Sequence, residues 1–269
     1  MRLPGPLLMV GCGRMGGALL DGWLKRGVEP GLVAVVEPDA ALRASLRERG
    51  VGAVADLEAV AGLVPAVVLL AVKPQVMPEV LPPLAPHLSP STLVVSIAAG
   101  IAVATIEAGL GPLPVVRVMP NTPAAVGRGI SALYAAPRVD PEGRTLAEGL
   151  MRAVGDAVWL DDEEAMHAVT ALSGSGPAYV FHLVEAMAAA GVRLDLDPGL
   201  AMRLARATVA GGGALLDASP DDAATLRTNV TSKGGTTAAA LGVLMGEGGL
   251  SDLMASAVAA AAKRSRELA

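Results

Sequence analysis

Leu7-Leu8-Met9-Val10-Gly11-Cys12-Gly13-Arg14-Met15-Gly16-Gly17 is the stretch that decides how the chain is read. Four apolar residues run into a glycine-rich turn, and a helical pattern of apolar residues follows through Leu19, Leu20 and Trp23. Gly11, Gly13 and Gly16 have the spacing of a dinucleotide fingerprint. The first permits a tight turn out of a strand, the second lets backbone approach a pyrophosphate, and the third lets the helix pack close to the sheet. The helix N-terminus adds unpaired N–H groups and the positive end of a dipole. A second apolar run ends in Glu37, about 20 residues beyond the turn, where a carboxylate accepts hydrogen bonds from an adenosine ribose. The residues expected at this cofactor site are Gly11, Cys12, Gly13, Arg14, Met15, Gly16 and Glu37.

Outward from this stretch the pattern repeats. Strand-like runs at 7–10, 32–37, 51–54, 66–72, 92–98, 114–119, 130–135 and 156–160 alternate with helical segments. Most are nearly continuous Val, Leu, Ile and Ala, as in strands covered on both faces, so the pattern predicts βαβ units and a mostly parallel, doubly wound, Rossmann-like sheet. Beyond 161 strands cease. Helices are predicted over about 163–190, 198–217, 221–230 and 236–268, punctuated by Gly191, Asp197-Pro198 and Ser219-Pro220. The fold class is therefore α/β, with a dinucleotide-binding domain over 1–161 and an all-helical domain over 162–269. Small residues in the helical part, such as those at 186–191 and 211–214, allow close helix packing, and its apolar surface exceeds what few helices can bury alone, which points to a dimer.

Composition narrows the function classes. The chain has 269 residues, 52% of them hydrophobic and only 2% aromatic, and a net charge of −5. Without a basic tract it offers no footprint for nucleic acid. Its one cysteine, Cys12, excludes an intramolecular disulfide and fits a reducing, cytoplasmic compartment. Inside the turn Cys12 reads as a small packing residue. The N-terminus runs straight into the first strand, which predicts no secretory leader, and the Ala-rich run at 255–262 is too short to cross a bilayer. His87, His167 and His182 are scattered without metal-ligand spacing, so no metal is expected. His182 reads as a helix-packing residue, and Asp161-Asp162-Glu163-Glu164 as the acidic start of a helix.

Four further stretches carry chemistry. Ala71-Val72-Lys73-Pro74 ends the fourth strand, where ligands of open α/β sheets bind; Lys73 there reaches a cofactor ribose or is simply solvated. In Arg117-Val118-Met119-Pro120-Asn121-Thr122-Pro123 two prolines order a loop, and Asn121 either hydrogen-bonds the nicotinamide side of a cofactor or ties down its own turn. Leu172-Ser173-Gly174-Ser175-Gly176-Pro177-Ala178-Tyr179 reads as a helix start with Ser175 as N-cap. Asn229-Val230-Thr231-Ser232-Lys233-Gly234-Gly235-Thr236-Thr237 opens the last helical segment with a second nest of N–H donors, suited to a substrate carboxylate.

Taken together, Gly11-Cys12-Gly13-Arg14-Met15-Gly16, Ala71-Val72-Lys73-Pro74, Met119-Pro120-Asn121-Thr122-Pro123, the 172–179 motif and Ser232-Lys233-Gly234-Gly235-Thr236-Thr237 closely resemble pyrroline-5-carboxylate reductases over nearly the whole chain. The resemblance implies an interlocked homodimer through the helical domain, with dimers often assembling into decamers. It implies hydride transfer from NADPH or NADH to the cyclic imine 1-pyrroline-5-carboxylate, giving L-proline. The active site would lie between the nicotinamide and the 232–237 turn, with partner residues contributing. Thr237 matches the family's substrate-contacting threonine. Ser232, Gly234, Gly235 and Thr236 belong to the substrate turn, and Glu163 and Asn229 match positions near the substrate.

Two positions depart from the family. Lys233 replaces the usual proline of a Ser-Pro-Gly-Gly-Thr turn, which loosens the turn, and its charge either attracts the substrate carboxylate or is simply solvated. Glu37 stands where many relatives accept the 2′-phosphate of NADPH, and its charge leans the site towards NADH. Arg43, one helical turn on, could still receive that phosphate. A 3-hydroxyacid dehydrogenase of similar architecture would need a lysine after the nucleotide domain, and 161–210 contains none. A nucleotide sensor without turnover would have no use for the 232–237 turn.

Overall fold

The computed structural model describes residues 2–269. Eight strands among the described residues form one sheet: β1 (Leu7–Val10), β2 (Val33–Val36), β3 (Gly52–Val54), β4 (Val67–Leu70), β5 (Leu93–Ser96), β6 (Val115–Met119), β7 (Gly129–Ala135) and β8 (Gly155–Trp159). Their order is β3-β2-β1-β4-β5-β6-β7-β8. All neighbours run parallel except β6 and β7. The strand order reverses between β1 and β4, the place where such sheets open a crevice for a dinucleotide.

Both faces of the sheet are covered, which explains the unbroken apolar runs. Successive strand residues point to opposite faces. Leu7 and Met9 join the core beneath α1 (Arg14–Lys25), α2 (Ala40–Glu48) and α5 (Pro141–Arg152), with Leu19, Trp23, Leu46 and Leu150. Leu8 and Val10 join the opposite core beneath α3 (Met77–Leu84) and α4 (Val103–Leu110), with Leu81, Leu84 and Ile106. Trp23 is fully buried and its indole N–H donates to the Leu150 carbonyl at 2.8 Å, fastening α1 to α5.

The helical part contains α6 (Ala165–Val169), α7 (Gly176–Val192), α8 (Pro198–Ala218), α9 (Ala223–Asn229), α10 (Thr236–Leu244) and α11 (Leu250–Glu267). Two of the expected helices are divided. The helix expected over 163–190 is interrupted by a π-helical stretch, Thr170–Gly174. There the Thr170 hydroxyl donates back to the Met166 carbonyl at 2.7 Å, a bond that distorts helices. The helix expected over 236–268 stops at Leu244 and restarts at Leu250. Between them lie Gly246, Gly248 and Gly249, and the Gly248 N–H donates to Asp252 at 2.8 Å.

Contacts divide the chain into two compact units, one running through Gly174 and taking back Ala262–Ala269, the other Ser175–Ala261. The boundary expected at 161–162 thus falls inside the first unit. The reason is side-chain bonding of α6 and its flanks to that unit: His167 Nδ1 and Ser265 Oγ lie 2.9 Å apart, and Glu163 bonds to Arg117 and Val103. In the second unit α7 and α8 pack through small residues, with Ala188, Ala201 and Ala205 buried.

Candidate active site

The carboxyl ends of the central strands line up across the first unit. Val10 pairs with both Val36 and Leu70, Leu70 with Ser96, and Ser96 with Arg117. One residue beyond this row lie Gly11, Glu37 and Ala71, and the turns after β5 and β6 continue the edge.

The glycine turn is built as its spacing requires. Gly11 has φ of +84°, and a Cβ there would lie 3.0 Å from the Ala71 carbonyl oxygen. A Cβ on Gly16 would lie 3.0 Å from the Gly11 oxygen and 3.3 Å from the Ala71 Cβ. Around Gly13 a Cβ would meet nothing within 4 Å. Gly13 is the N-cap of α1 and supplies no side-chain cap. The first helical bond runs from the Gly17 N–H to the Gly13 carbonyl at 2.8 Å, so the N–H groups of Arg14, Met15 and Gly16 have no partner within the helix. Open space over Gly13 and uncapped donors behind it fit a pyrophosphate. Arg14 is exposed and Met15 half-buried beside them.

Glu37 is buried, and its carboxylate does local work. Oε2 accepts from the Cys12 N–H at 2.9 Å and Oε1 from the Asp39 N–H at 3.0 Å. It thereby ties the glycine turn to the start of α2, and each oxygen keeps capacity for a further donor. Arg43 donates to the Glu37 and Pro38 carbonyls, at 2.8 and 2.7 Å. Cys12 is buried as a packing residue. Burial, with the Glu37 charge adding to it, pushes its thiol from an ordinary 9.0 up to about 11.

At the end of β4, Ala71 and Val72 are half-buried and Lys73 is exposed, with an extended backbone before Pro74. Asn121 ties down its own loop: Oδ1 accepts from the Ile130 N–H at 3.0 Å, and Nδ2 donates to Ser173 Oγ at 3.2 Å. The acidic run leads into α6 as expected: Glu164 is its N-cap, and the Met166 and His167 N–H groups donate to the Glu163 and Glu164 carbonyls, although no acid lies inside the first turn. Glu163 Oε1 accepts from Arg117 Nη1 at 2.5 Å and from the Val103 N–H at 2.8 Å. The role of Arg117 was not read from the motif that contains it. An arginine inside an otherwise apolar strand was the available signal, because a buried charge requires a partner.

In the second unit, the 232–237 turn is exposed to half-buried. Gly234 has φ of +71°, and a Cβ on Gly235 would lie 2.4 Å from Ser232 Oγ. Gly235 is the N-cap of α10 without a side-chain cap, and the first helical bond joins the Ala239 N–H to its carbonyl at 3.2 Å. The N–H groups of Thr236, Thr237 and Ala238 are therefore left for an anion. Thr237 is half-buried at this end; Ser232 and Lys233 are exposed, as is Asn229, the last residue of α9.

Two expectations nearby are corrected. Ser175 holds the N-cap position of α7 but its side chain makes no cap bond, because its backbone is already helical behind the π stretch. His182 does not pack between helices. It is exposed and pairs with Glu185, one turn on, at 3.1 Å.

A hollow of about 1340 Å³ opens at the opposite edge of the sheet, among Arg2, Pro4, Pro90, Pro114 and Arg138. Ligands of such sheets bind at the carboxyl edge, so the candidate site is the row after β1, β4 and β6. Among the described residues, no group of three His, Cys, Asp or Glu could hold a metal, and no helix is long and apolar enough to cross a membrane.

Comparison with known proteins joins these observations. Residues 163–268 match the family model for pyrroline-5-carboxylate reductase dimerisation, and 7–100 match the model for NADP oxidoreductases that are coenzyme F420-dependent. A pyrroline-5-carboxylate reductase of Pseudomonas aeruginosa is 44% identical over 264 residues, 98% of this chain and 96% of that protein. The enzyme of that name from Pasteurella multocida is 39% identical, covering 97% of each chain. The chain belongs to the pyrroline-5-carboxylate reductase family.

Solved structures agree. The pyrroline-5-carboxylate reductase of Coxiella burnetii superposes with a TM-score of 0.92 at 35% identity over 99% of both chains. The Plasmodium falciparum pyrroline carboxylate reductase, solved with NADP bound, gives 0.84 at 28% identity over 98% of both.

Proposed function

We propose that this chain reduces 1-pyrroline-5-carboxylate to L-proline with a reduced nicotinamide cofactor, as the last step of proline biosynthesis. The carrying observation is a pair of uncapped helix N-termini, at α1 and α10, in a chain with near-full-length identity to reductases of that name. One receives a pyrophosphate and the other a carboxylate.

The cofactor, when bound, supplies the hydride. This chain's residues bind and orient. The N–H groups of Arg14 to Gly16 hold the pyrophosphate, with Cys12, Gly13 and Met15 lining the turn. The ends of β4 and β6, Ala71 to Pro74 and Asn121, face the nicotinamide half. The N–H groups at the start of α10, framed by Ser232, Gly234, Gly235 and Thr236, hold the substrate carboxylate. Thr237 hydrogen-bonds the ring nitrogen and Asn229 borders the same turn. With the imine bound in its protonated form, no strong acid side chain is needed, and orientation carries the rate. Glu37 favours NADH, because its charge repels a 2′-phosphate and its free acceptor capacity suits ribose hydroxyls. The reading includes a homodimer, dimers assembling to a decamer, and a cytoplasmic location, in keeping with the free Cys12.

The test is cofactor oxidation in the presence of 1-pyrroline-5-carboxylate. The expected result is turnover with higher catalytic efficiency for NADH than for NADPH, and a loss of about tenfold or more in Thr237→Ala, equivalent to about 1.4 kcal/mol of transition-state stabilisation. No oxidation by a folded protein that binds the cofactor would overturn the activity. Greater efficiency with NADPH would overturn the role given to Glu37.

A further inference from the structure

Three alternate positions at the end of β6 each meet the segment that leads out of the first unit. Arg117 bonds Glu163, the Asn121 amide bonds Ser173, and between them Met119 lies against Gly174, where a Cβ would sit 2.3 Å from the Met119 methyl. Alternate residues of an extended chain share one face, so the C-terminal end of this face, Arg117, Met119 and Asn121 just past β6, holds 163–174. Glu163 reaches further. Its Oε1 also accepts the Val103 N–H at the start of α4, a helix whose N-cap, Ala102, has no side chain able to cap it. One oxygen of Glu163 thus joins a buried arginine on β6, 46 residues before it, to the start of a helix 60 residues before it. The turns so joined, after β5 and after β6, stand on the β4 side of the switch point, opposite the Glu37 side that takes adenosine.

We infer that Glu163 is a positioning residue which, through Arg117 and the α4 N-terminus, holds the turns that receive the nicotinamide half of the cofactor. This rests on the dinucleotide reading of the carboxyl edge and replaces the place near the substrate that the resemblance implies for Glu163. Arg117 would otherwise be a buried cation without a partner charge, and its fork fixes direction as a lysine would not.

The test compares binding of NADH with binding of ADP-ribose, which lacks the nicotinamide, in Glu163→Gln, Arg117→Met and the double variant. The glutamine keeps a neutral acceptor for Val103 and Arg117 but removes the partner charge of Arg117, whereas the methionine and the double variant remove the buried cation itself; melting curves check that each variant folds. Each single variant is expected to weaken NADH by about tenfold and ADP-ribose by less than about twofold, with the double no weaker than the worse single, because the two residues act as one unit. In turnover, kcat falls while KM for the imine stays level. Equal weakening of both ligands would make the pair merely structural. A raised imine KM in Glu163→Gln, additive with Arg117→Met, would return Glu163 to the substrate. Both outcomes overturn the inference. A wild-type protein that binds NADH but does not turn over the imine would remove the proposed activity and leave the binding comparison to decide.

Discussion

Gly11 and Gly13 stand two positions apart and are glycine for different reasons. Gly11 answers to the fold, through its positive φ and the nearby Ala71 carbonyl. For Gly13 no protein atom gives the reason, since nothing fills the space over it; the proposed pyrophosphate would. Gly11→Ala is therefore expected to destabilise the protein by about 2 kcal/mol or more, read by chemical denaturation. Gly13→Ala should leave stability within about 0.5 kcal/mol and weaken NADH by about tenfold or more. A Gly13 variant that binds NADH normally would refute the pyrophosphate site. Between them, Cys12 gives a pH test. The native thiol holds its proton more tightly than the unfolded one, so stability is lost as pH rises from 9.0 towards about 11, by about 2–3 kcal/mol. This alkaline slope should disappear in Cys12→Ala. Native Cys12 should resist alkylation at neutral pH and react once the chain is unfolded; rapid native labelling would contradict its burial.

At the scale of elements, the strands were readable because most are short apolar runs covered on both faces, while β8, with Asp156 and Val158 exposed, was legible from its place after a helical segment. The helix interruptions were not, because they depend on bonds outside the periodic pattern. The break after Leu244 was marked by Gly246, Gly248 and Gly249, but the surrounding Ala-rich pattern is continuous enough to hide it. The π stretch comes from a back-bonded Thr170, which no periodicity reports. The same divide runs through the site. Both glycine turns that open α1 and α10 are local in sequence, and as turns they were legible. The bonds Glu37–Cys12 and Arg117–Glu163 span 25 and 46 residues, and only the sheet brings their ends together. The junction of α1 and α5 supplies the prediction at this scale. Trp23→Phe retains most of the buried area but leaves the Leu150 carbonyl unpaired in the core. It should cost about 1–3 kcal/mol in unfolding free energy, with a loosened α1–α5 contact visible as faster amide exchange in both helices. A neutral effect would mean that the indole bond contributes nothing to holding the two helices.

At the scale of the whole molecule, the second unit has more apolar surface than its own helices cover. Phe181 on α7, Leu215 on α8, Val243 on α10 and Leu253 on α11 are each more than 60% exposed, while α7 and α8 bury only three alanines between them. Exposed apolar surface on this scale marks an association face, and the family model covering it is one for dimerisation. A C2 dimer would place the same patch on both protomers, so one substitution strikes the interface twice. Phe181→Glu is therefore expected to convert the dimer to monomers in sedimentation, and to lower Tm because the partner no longer contributes to stability. If the wild type is such a dimer, folding and association are linked, and Tm should rise with protein concentration. A tenfold increase adds about 1.4 kcal/mol per dimer, which the unfolding entropy of two such chains converts to roughly 1 °C. Scans over a hundredfold range bring that shift above measurement error. A wild-type chain that sediments as a monomer, with one Tm at every concentration, would mean that these apolar helices are stable without a partner and that the dimer does not form.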